Sequence, residues 1–150
     1  MMLLSRRSLL AVAAVVDVAL HARPAPVAAK ALAARHDLPP RHLETLLQTL
    51  VRAGILKGIR GPRGGYELAR ERRRITAGDI VRAVLSEPSE DDAASASKSV
   101  LIDRIVEPAI EKAGVGFLAA LDAITVDELC HRASELDASV QATAGADFTI

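Results

Sequence analysis

The stretch Arg60-Gly61-Pro62-Arg63-Gly64-Gly65-Tyr66 follows directly on an amphipathic segment that ends in Arg52-Ala53-Gly54-Ile55-Leu56. Three glycines and a proline do not fit a helix or the interior of a regular strand, so the chain must turn sharply here. Short apolar–polar stretches, 55–59 and 66–68, flank the turn and read as the two strands of a hairpin. Two arginines at its tip present planar, multi-donor cations of the kind that suit phosphate oxygens and base edges.

Three helical patterns precede the hairpin. Residues 4–22 are apolar all round and predict a largely buried helix. Arg23-Pro24-Ala25-Pro26 stops it, and residues 27–36 predict a second short helix. His36-Asp37-Leu38 makes the turn. Pro39 and Pro40 fall where the first turn of a third helix begins, a place that tolerates proline because no intrahelical N–H is lost. Leu43, Leu46, Leu47 and Leu50 give that helix one buried stripe, and Gly54 is its natural stop. Three helices followed by a basic hairpin are the order of a winged helix-turn-helix, whose third helix enters the DNA major groove.

Downstream, Thr76 and Asp79 predict a capped helix that ends before Pro88. The Ser-, Ala- and acid-rich segment 87–99 reads as a linker. Residues 100–124 predict a long helix that Pro108 either kinks or begins, with Gly114 and Gly116 weakening its middle. A final short helix is expected over 126–136. Residues 138–150 lack periodicity and are expected to be a disordered tail. The predicted organisation is therefore a DNA-binding domain over 1–86, a linker over 87–99, and a dimerisation helix with a short C-terminal helix over 100–137. The fold class is mainly α with a small β-hairpin.

Charge follows the same division. Residues 1–74 hold 14 Lys and Arg against 5 Asp and Glu, and residues 75–150 hold the reverse, so a net charge of zero conceals a basic half and an acidic half. Such asymmetry points to a half that faces nucleic acid. Ser5-Arg6-Arg7-Ser8-Leu9-Leu10 looks like a twin-arginine export signal, but Asp17 interrupts the apolar run, which continues into the first helix of the domain. We therefore expect a cytoplasmic protein, and no apolar run is long enough to span a membrane.

Candidate DNA-contacting residues fall in three groups. On the third helix they are Pro39, Arg41, His42, Glu44, Thr45 and Gln48, where Arg41 suits guanine, Glu44 a cytosine amino group and Gln48 adenine. At the hairpin tip they are Arg60, Gly61, Pro62 and Arg63. Ser5, Arg6 and Arg7, before the first helix, are placed to meet backbone phosphate.

These residues carry a resemblance. Leu4-Ser5-Arg6-Arg7, the run 39–56, and above all Arg60-Gly61-Pro62-Arg63-Gly64-Gly65-Tyr66-Glu67-Leu68-Ala69 resemble the Rrf2 family of bacterial transcription regulators. The segment 75–84 is similar to that family's Ile-Thr-x-x-Asp-Ile-x-x-Ala motif, and 121–129 to its C-terminal end. The resemblance covers about residues 3–130. It implies a homodimer joined through the long distal helix, reading a pseudo-palindromic operator in double-stranded DNA, most simply as a repressor. A small molecule or a partner protein would supply the signal.

Many family members hold an iron–sulfur cluster through three linker cysteines, and this linker has none. A thiolate-held cluster takes about four Cys, whereas the chain has one, Cys130, so no cofactor is expected. Cys130 is read first as a buried structural thiol and second as a redox site. The four His show no metal-binding spacing. No phosphate loop, nucleophile elbow or paired-His motif points to an enzyme. The alternative function is a protein-interaction module that keeps the winged-helix fold without DNA binding, since proline at the start of the reading helix cannot donate an N–H to phosphate.

Overall fold

The computed structural model describes residues 3–88 and 99–147, without the side chains of Gln141 and residues 143–147. Its elements are α1 (Arg6–His21), α2 (Ala29–Arg35), α3 (Pro40–Arg52), β1 (Leu56–Ile59), β2 (Gly65–Leu68), α4 (Ala77–Leu85), α5 (Glu107–Leu121) and α6 (Val126–Asp147). A 3-10 turn at Arg72–Arg74 precedes α4, and a π-helical turn at Ile102–Val106 precedes α5. β1 and β2 pair antiparallel, with Leu56 opposite Leu68 and Ile59 opposite Gly65. The expected winged helix-turn-helix with a long distal helix is the fold observed.

Local chemistry sets the element ends. Ser5 caps α1, its hydroxyl accepting from the Ser8 amide at 3.1 Å. α2 ends as Leu38 N–H donates to Ala33 and Asp37 N–H to Ala34, with Asp37 in the left-handed region at φ 50°. This is a Schellman stop built on an Asp, a residue that tolerates that conformation. Gly54, at φ 75°, closes α3 in the same way, as Ile55 N–H donates to Leu50. Thr76 and Asp79 form a reciprocal capping box at the start of α4.

The core gathers around α3. Leu43, Leu46, Leu47 and Leu50 are fully buried against Ala11, Ala14, Val15 and Val18 of α1, Leu32 of α2, Ile55 and Leu56 of the hairpin, and Ile80 of α4. One acid lies in this apolar setting. Asp17 on α1 accepts from Arg35 Nε at 2.9 Å and from Arg35 Nη2 at 2.6 Å. His36 Nε2 is 3.1 Å from the same carboxylate and His21 Nδ1 3.3 Å. The residue that breaks the apolar pattern of α1 thus holds the end of α2 in place. Burial opposes its ionisation, but the hydrogen bonds and charge of Arg35, with His21 and His36, outweigh that and keep its pKa below the ordinary 3.8.

Two expectations need correction and one is met in part. α1 is not buried all round: Leu9 and Leu20 are exposed and, with Val12 and Val16, line an open apolar groove of about 510 Å³ that Asp17 and His36 also line. Pro108 marks the start of the regular α-helix, in whose first turn it sits, while the helical path reaches back to Val100. The π turn ahead of it lets Glu107 N–H reach back to Ile102, and the proline, with no N–H to offer, sits in the next turn. The last helix is not short, for α6 runs through 138–147, in place of the expected disordered tail. The sequence of this Ala-rich stretch has no regular apolar repeat to give it a period, yet it contains no helix breaker before Gly145. Residues 148–150 and most of the expected linker, 89–98, lie outside the described residues.

The distal part docks back onto the domain through α4. Arg82 grips Asp122 with two hydrogen bonds, at 2.5 and 2.8 Å. Ala77 N–H donates to Ile124 and Val126 N–H to Ile75, both at 2.8 Å. A methyl on Gly78 would run into the Asp122 carboxylate, so the Asp122 and Arg82 side chains would have to shift to admit it.

Replacing Asp17 with Ala is expected to lower stability by about 1.5–3 kcal/mol, the range for hydrogen bonds to a charged group, because Arg35 retains access to water. Asp17's contribution is fully present above pH 3.8 and is lost as the pH falls through its depressed folded value. Chemical denaturation at pH 7 and pH 3 checks both points; equal losses at the two pH values would contradict the assignment.

Candidate nucleic-acid interface

The reading face is what remains of α3 once its stripe is buried. A 3.6-residue period leaves Arg41, His42, Glu44, Thr45, Gln48 and Arg52 exposed on the side opposite the leucines. Pro39 is the N-cap and Pro40 the first helical residue, with no side-chain cap. Among the described residues, Arg41, His42 and Glu44 have no side-chain partner. Thr45 donates weakly to the Arg41 carbonyl at 3.4 Å. Gln48 Nε2 donates to the Tyr66 hydroxyl at 3.3 Å, leaving one amide hydrogen and the amide oxygen free.

The hairpin tip turns at Gly61, whose φ of 116° is open to glycine alone. Gly64 N–H closes the turn on the Gly61 carbonyl at 2.9 Å. Arg60, Pro62 and Arg63 are exposed there, and neither arginine pairs with a described residue. The next two glycines serve close approach of backbone to backbone. A Cβ on Gly64 would lie 2.2 Å from the Ile59 carbonyl oxygen, and one on Gly65 would lie 2.4 Å from that of Val27. That room lets Tyr66 and Val27 exchange backbone hydrogen bonds at 2.8 and 3.0 Å, tying the hairpin to the segment before α2. The Tyr66 hydroxyl then reaches α3 through Gln48. Val27 and Tyr66 thus fix the hairpin against the reading helix, a role that neither periodicity nor turn chemistry signals.

The third predicted group is only partly available. Arg6 is exposed and has no described partner. Ser5 is engaged as the α1 cap. Arg7 is held by Glu87, whose Oε2 accepts from Arg7 Nε at 3.1 Å and Nη2 at 2.7 Å.

Cys130 is buried on α6. Burial pushes its thiol pKa up, nearby Arg72 opposes this, and Asp127 adds to it. His131 faces Asp127 at 3.5 Å, and Asp127 also pairs with Arg72 at 2.6 Å. A thiol held protonated in this setting is a poor nucleophile.

Residues 4–132 match the profile of the Rrf2 family, described as an iron-dependent transcriptional regulator. The Synechocystis protein slr0846, named as an HTH-type transcriptional regulator, is 33% identical over 138 residues, which cover 92% of this chain and 94% of that protein. The regulator IscR of Vibrio atlanticus is 37% identical over 83 residues, 55% of this chain and 48% of that one, so the match spans about half of that relative. Among solved structures, T. potens IscR superposes with a TM-score of 0.68 at 33% identity, covering 90% of each chain. CymR, the global cysteine regulator of B. subtilis, superposes at 0.64 with 29% identity, covering 88% of this chain and 98% of that one.

The donor set does not fit an iron–sulfur cluster. The one cysteine in the chain is buried on α6, well away in sequence from residues 87–99. Among the described residues, no group of three His, Cys, Asp or Glu side chains is placed to hold a metal ion.

Gly65→Ala is expected to cost about 1–3 kcal/mol, the usual range for overpacking, because the new methyl meets the Val27 backbone. Thermal melts measure the loss, and an undiminished melting temperature would mean that the Val27 approach is not tight in solution. Cys130 is expected to alkylate roughly tenfold or more slowly in the native protein than in urea, given its burial and raised pKa. Equal iodoacetamide rates in the two states would show an accessible thiolate.

Proposed function

The chain belongs to the Rrf2 family of DNA-binding, winged-helix transcriptional regulators, and from that premise we propose that it is a homodimeric, sequence-specific repressor working without an iron–sulfur cluster. The observation that carries this reading is the pair of unpartnered arginines, Arg60 and Arg63, at the tip of a hairpin fixed by Tyr66 to the reading helix. Arg41, Glu44, Thr45 and the free edge of Gln48 face the major-groove base edges, while Arg60 and Arg63 take the adjacent backbone or minor groove. Arg6 adds a phosphate contact. The described helices include none long and apolar enough to cross a membrane, and a regulator of this kind would work in the cytoplasm beside the chromosome.

The distal helix supports the dimer. Val100, Leu101, Ile105, Ile110 and Val115 are all exposed by more than 60% in a single chain. A run of apolar side chains on this scale marks a surface made to be covered. A second copy covers it with the same residues, placing two reading heads on half-sites about one helical turn, roughly 34–36 Å, apart. Repression follows when such a dimer occupies a site that overlaps a promoter. A small molecule or partner protein that changes the separation of the heads would change operator affinity, and operator would change the effector's affinity by the same factor.

Two measurements test this reading. Fluorescence anisotropy over a salt series, with DNA from the protein's own upstream region, should show steeply salt-dependent binding. In Arg60→Ala/Arg63→Ala the salt slope should fall by about 0.9 for each phosphate no longer neutralised. Binding unaffected by the double substitution would move the weight to the protein-interaction module. Ile110→Glu/Val115→Glu should halve the mass seen by light scattering from twice the 15.8 kDa of one chain, while the helical circular dichroism of the domain persists. A variant that stays dimeric would place the interface elsewhere.

A further inference from the structure

Glu87 stands where the chain leaves the winged-helix domain for the distal helix, and its carboxylate does not face solvent alone. It lies in a notch between the first turn of α1 and the last turn of α3, with its side chain a quarter exposed. Oε2 takes both hydrogen bonds from Arg7. The hydroxyl of Thr49, a buried polar residue beside the leucine stripe of α3, has Glu87 Oε1 and the Thr45 carbonyl as alternative acceptors, and Oε1 lies 3.8 Å from Arg52 Nη2. Arg52 Nη2 in turn approaches Thr49 Oγ1 at 3.4 Å. Burial disfavours the charge on Glu87, but Thr49, Arg7 and Arg52 outweigh it and set the pKa below 4.5.

This is the coordination a phosphate would receive: a fork from one arginine, a hydroxyl, and a second cation. It is supplied from the N-terminal end of α1 and from the reading helix itself. Arg7 is also one of the cations that the sequence assigns to the DNA backbone, and a guanidinium whose charge is already neutralised by a carboxylate draws a phosphate weakly, although its Nη1 donors remain.

We propose that Glu87 is a phosphate-mimicking latch, holding Arg7 and Arg52 in the DNA-free protein and exchanging with a backbone phosphate when the operator binds. The proposal rests on the DNA-binding reading above and adds to it a route between the two parts of the chain. Glu87 directly precedes, in sequence, the residues that lead to the distal helix, so the latch sits at the junction of the two parts of the chain. Conversely, anything that draws Glu87 away from the domain withdraws the carboxylate and exposes two cations to DNA. The coupling is reciprocal and acts through one side chain.

The test compares Glu87→Gln with Glu71→Gln, a charge-matched control whose carboxylate has no described side-chain partner. Binding to operator DNA and to a random-sequence duplex is measured over a salt series for both variants and for the wild type. Glu87→Gln should bind both duplexes about two- to fivefold more tightly than Glu71→Gln, the worth of a partly exposed ion pair, with a similar slope, because the same phosphates are met in the complex and only the cost of releasing Arg7 and Arg52 is removed. In an Arg7→Gln background the advantage of Glu87→Gln should shrink. A Glu87→Gln protein that matches Glu71→Gln in affinity, or that binds more weakly, overturns the latch and leaves Glu87 as a structural strut. A wild type that binds neither duplex would instead sink the DNA-binding reading, and the latch with it. Thermal melts of the variants separate an altered interface from a damaged fold, since the latch requires tighter binding by a protein that still melts cooperatively.

Discussion

The leucine stripe of α3 settles where everything else must go. Leu43, Leu46, Leu47 and Leu50 meet α1, α2, the hairpin and α4, and each of them is fully buried. A buried leucine is worth about 1.5–3 kcal/mol, so no rotation of α3 that exposed this face would survive. With the inner face fixed, helical geometry leaves Arg41, Glu44, Thr45 and Gln48 no choice but to face outward. The reading residues are thus oriented by residues that never touch a ligand. The hairpin is then set against the same helix by a different means, backbone approach at Gly65 and Val27, which the absence of a side chain at Gly65 permits.

Much of this is legible in the sequence because it depends on local rules. The Gly54 stop, the Thr76 and Asp79 capping box, and the glycine turn of the hairpin are each determined by residues within a few positions of one another. In the sequence Asp17 is only an interruption of an apolar helix; its meaning comes from Arg35 and His36, which are distant by 18 and 19 residues and brought near by the turn between α1 and α2. Ser5 and Arg7 read as DNA-facing from their place before a helix. One proves to be a cap and the other an ion-pair partner of a residue 80 positions away. The Ala-rich end of α6 reads as a tail because a stretch without a regular apolar repeat shows no period. The same principle that reveals amphipathic helices hides this one.

The apolar surfaces left open have a common physical origin. The groove beside α1 and the outer face of the helix over 100–121 are both rich in Leu, Ile and Val; Val12 and Val16 pack partly on the core, whereas Leu9, Leu20, Ile105, Ile110 and Val115 stay exposed. Apolar residues left outside a core in such numbers form the kind of surface that association covers. Aromatic residues are nearly absent, with 2 Phe and 1 Tyr, so these surfaces are smooth aliphatic faces. Such faces pack well against another helix of the same kind, which is the form a two-fold contact requires.

The charge division completes this picture. The basic half contains the reading helix and the hairpin, and the acidic half contains the distal helix, so the long-range field draws DNA to one end of the molecule and keeps it from the other. Many of the cations on the domain are already answered: Arg35 by Asp17, Arg70 by Asp79, Arg72 and Arg73 by Asp127, Arg82 by Asp122. Arg6, Arg41, Arg60 and Arg63, the cations proposed to meet DNA, have no such partner among the described residues. Arg7 and Arg52 are intermediate cases, answered by a carboxylate that belongs to the departing segment and not to the core. Arg35 can be released only by leaving the buried Asp17 without its main partner, whereas a cation held by Glu87 can be lent by moving a single side chain. That difference places the control of affinity at the junction between the two halves of the chain.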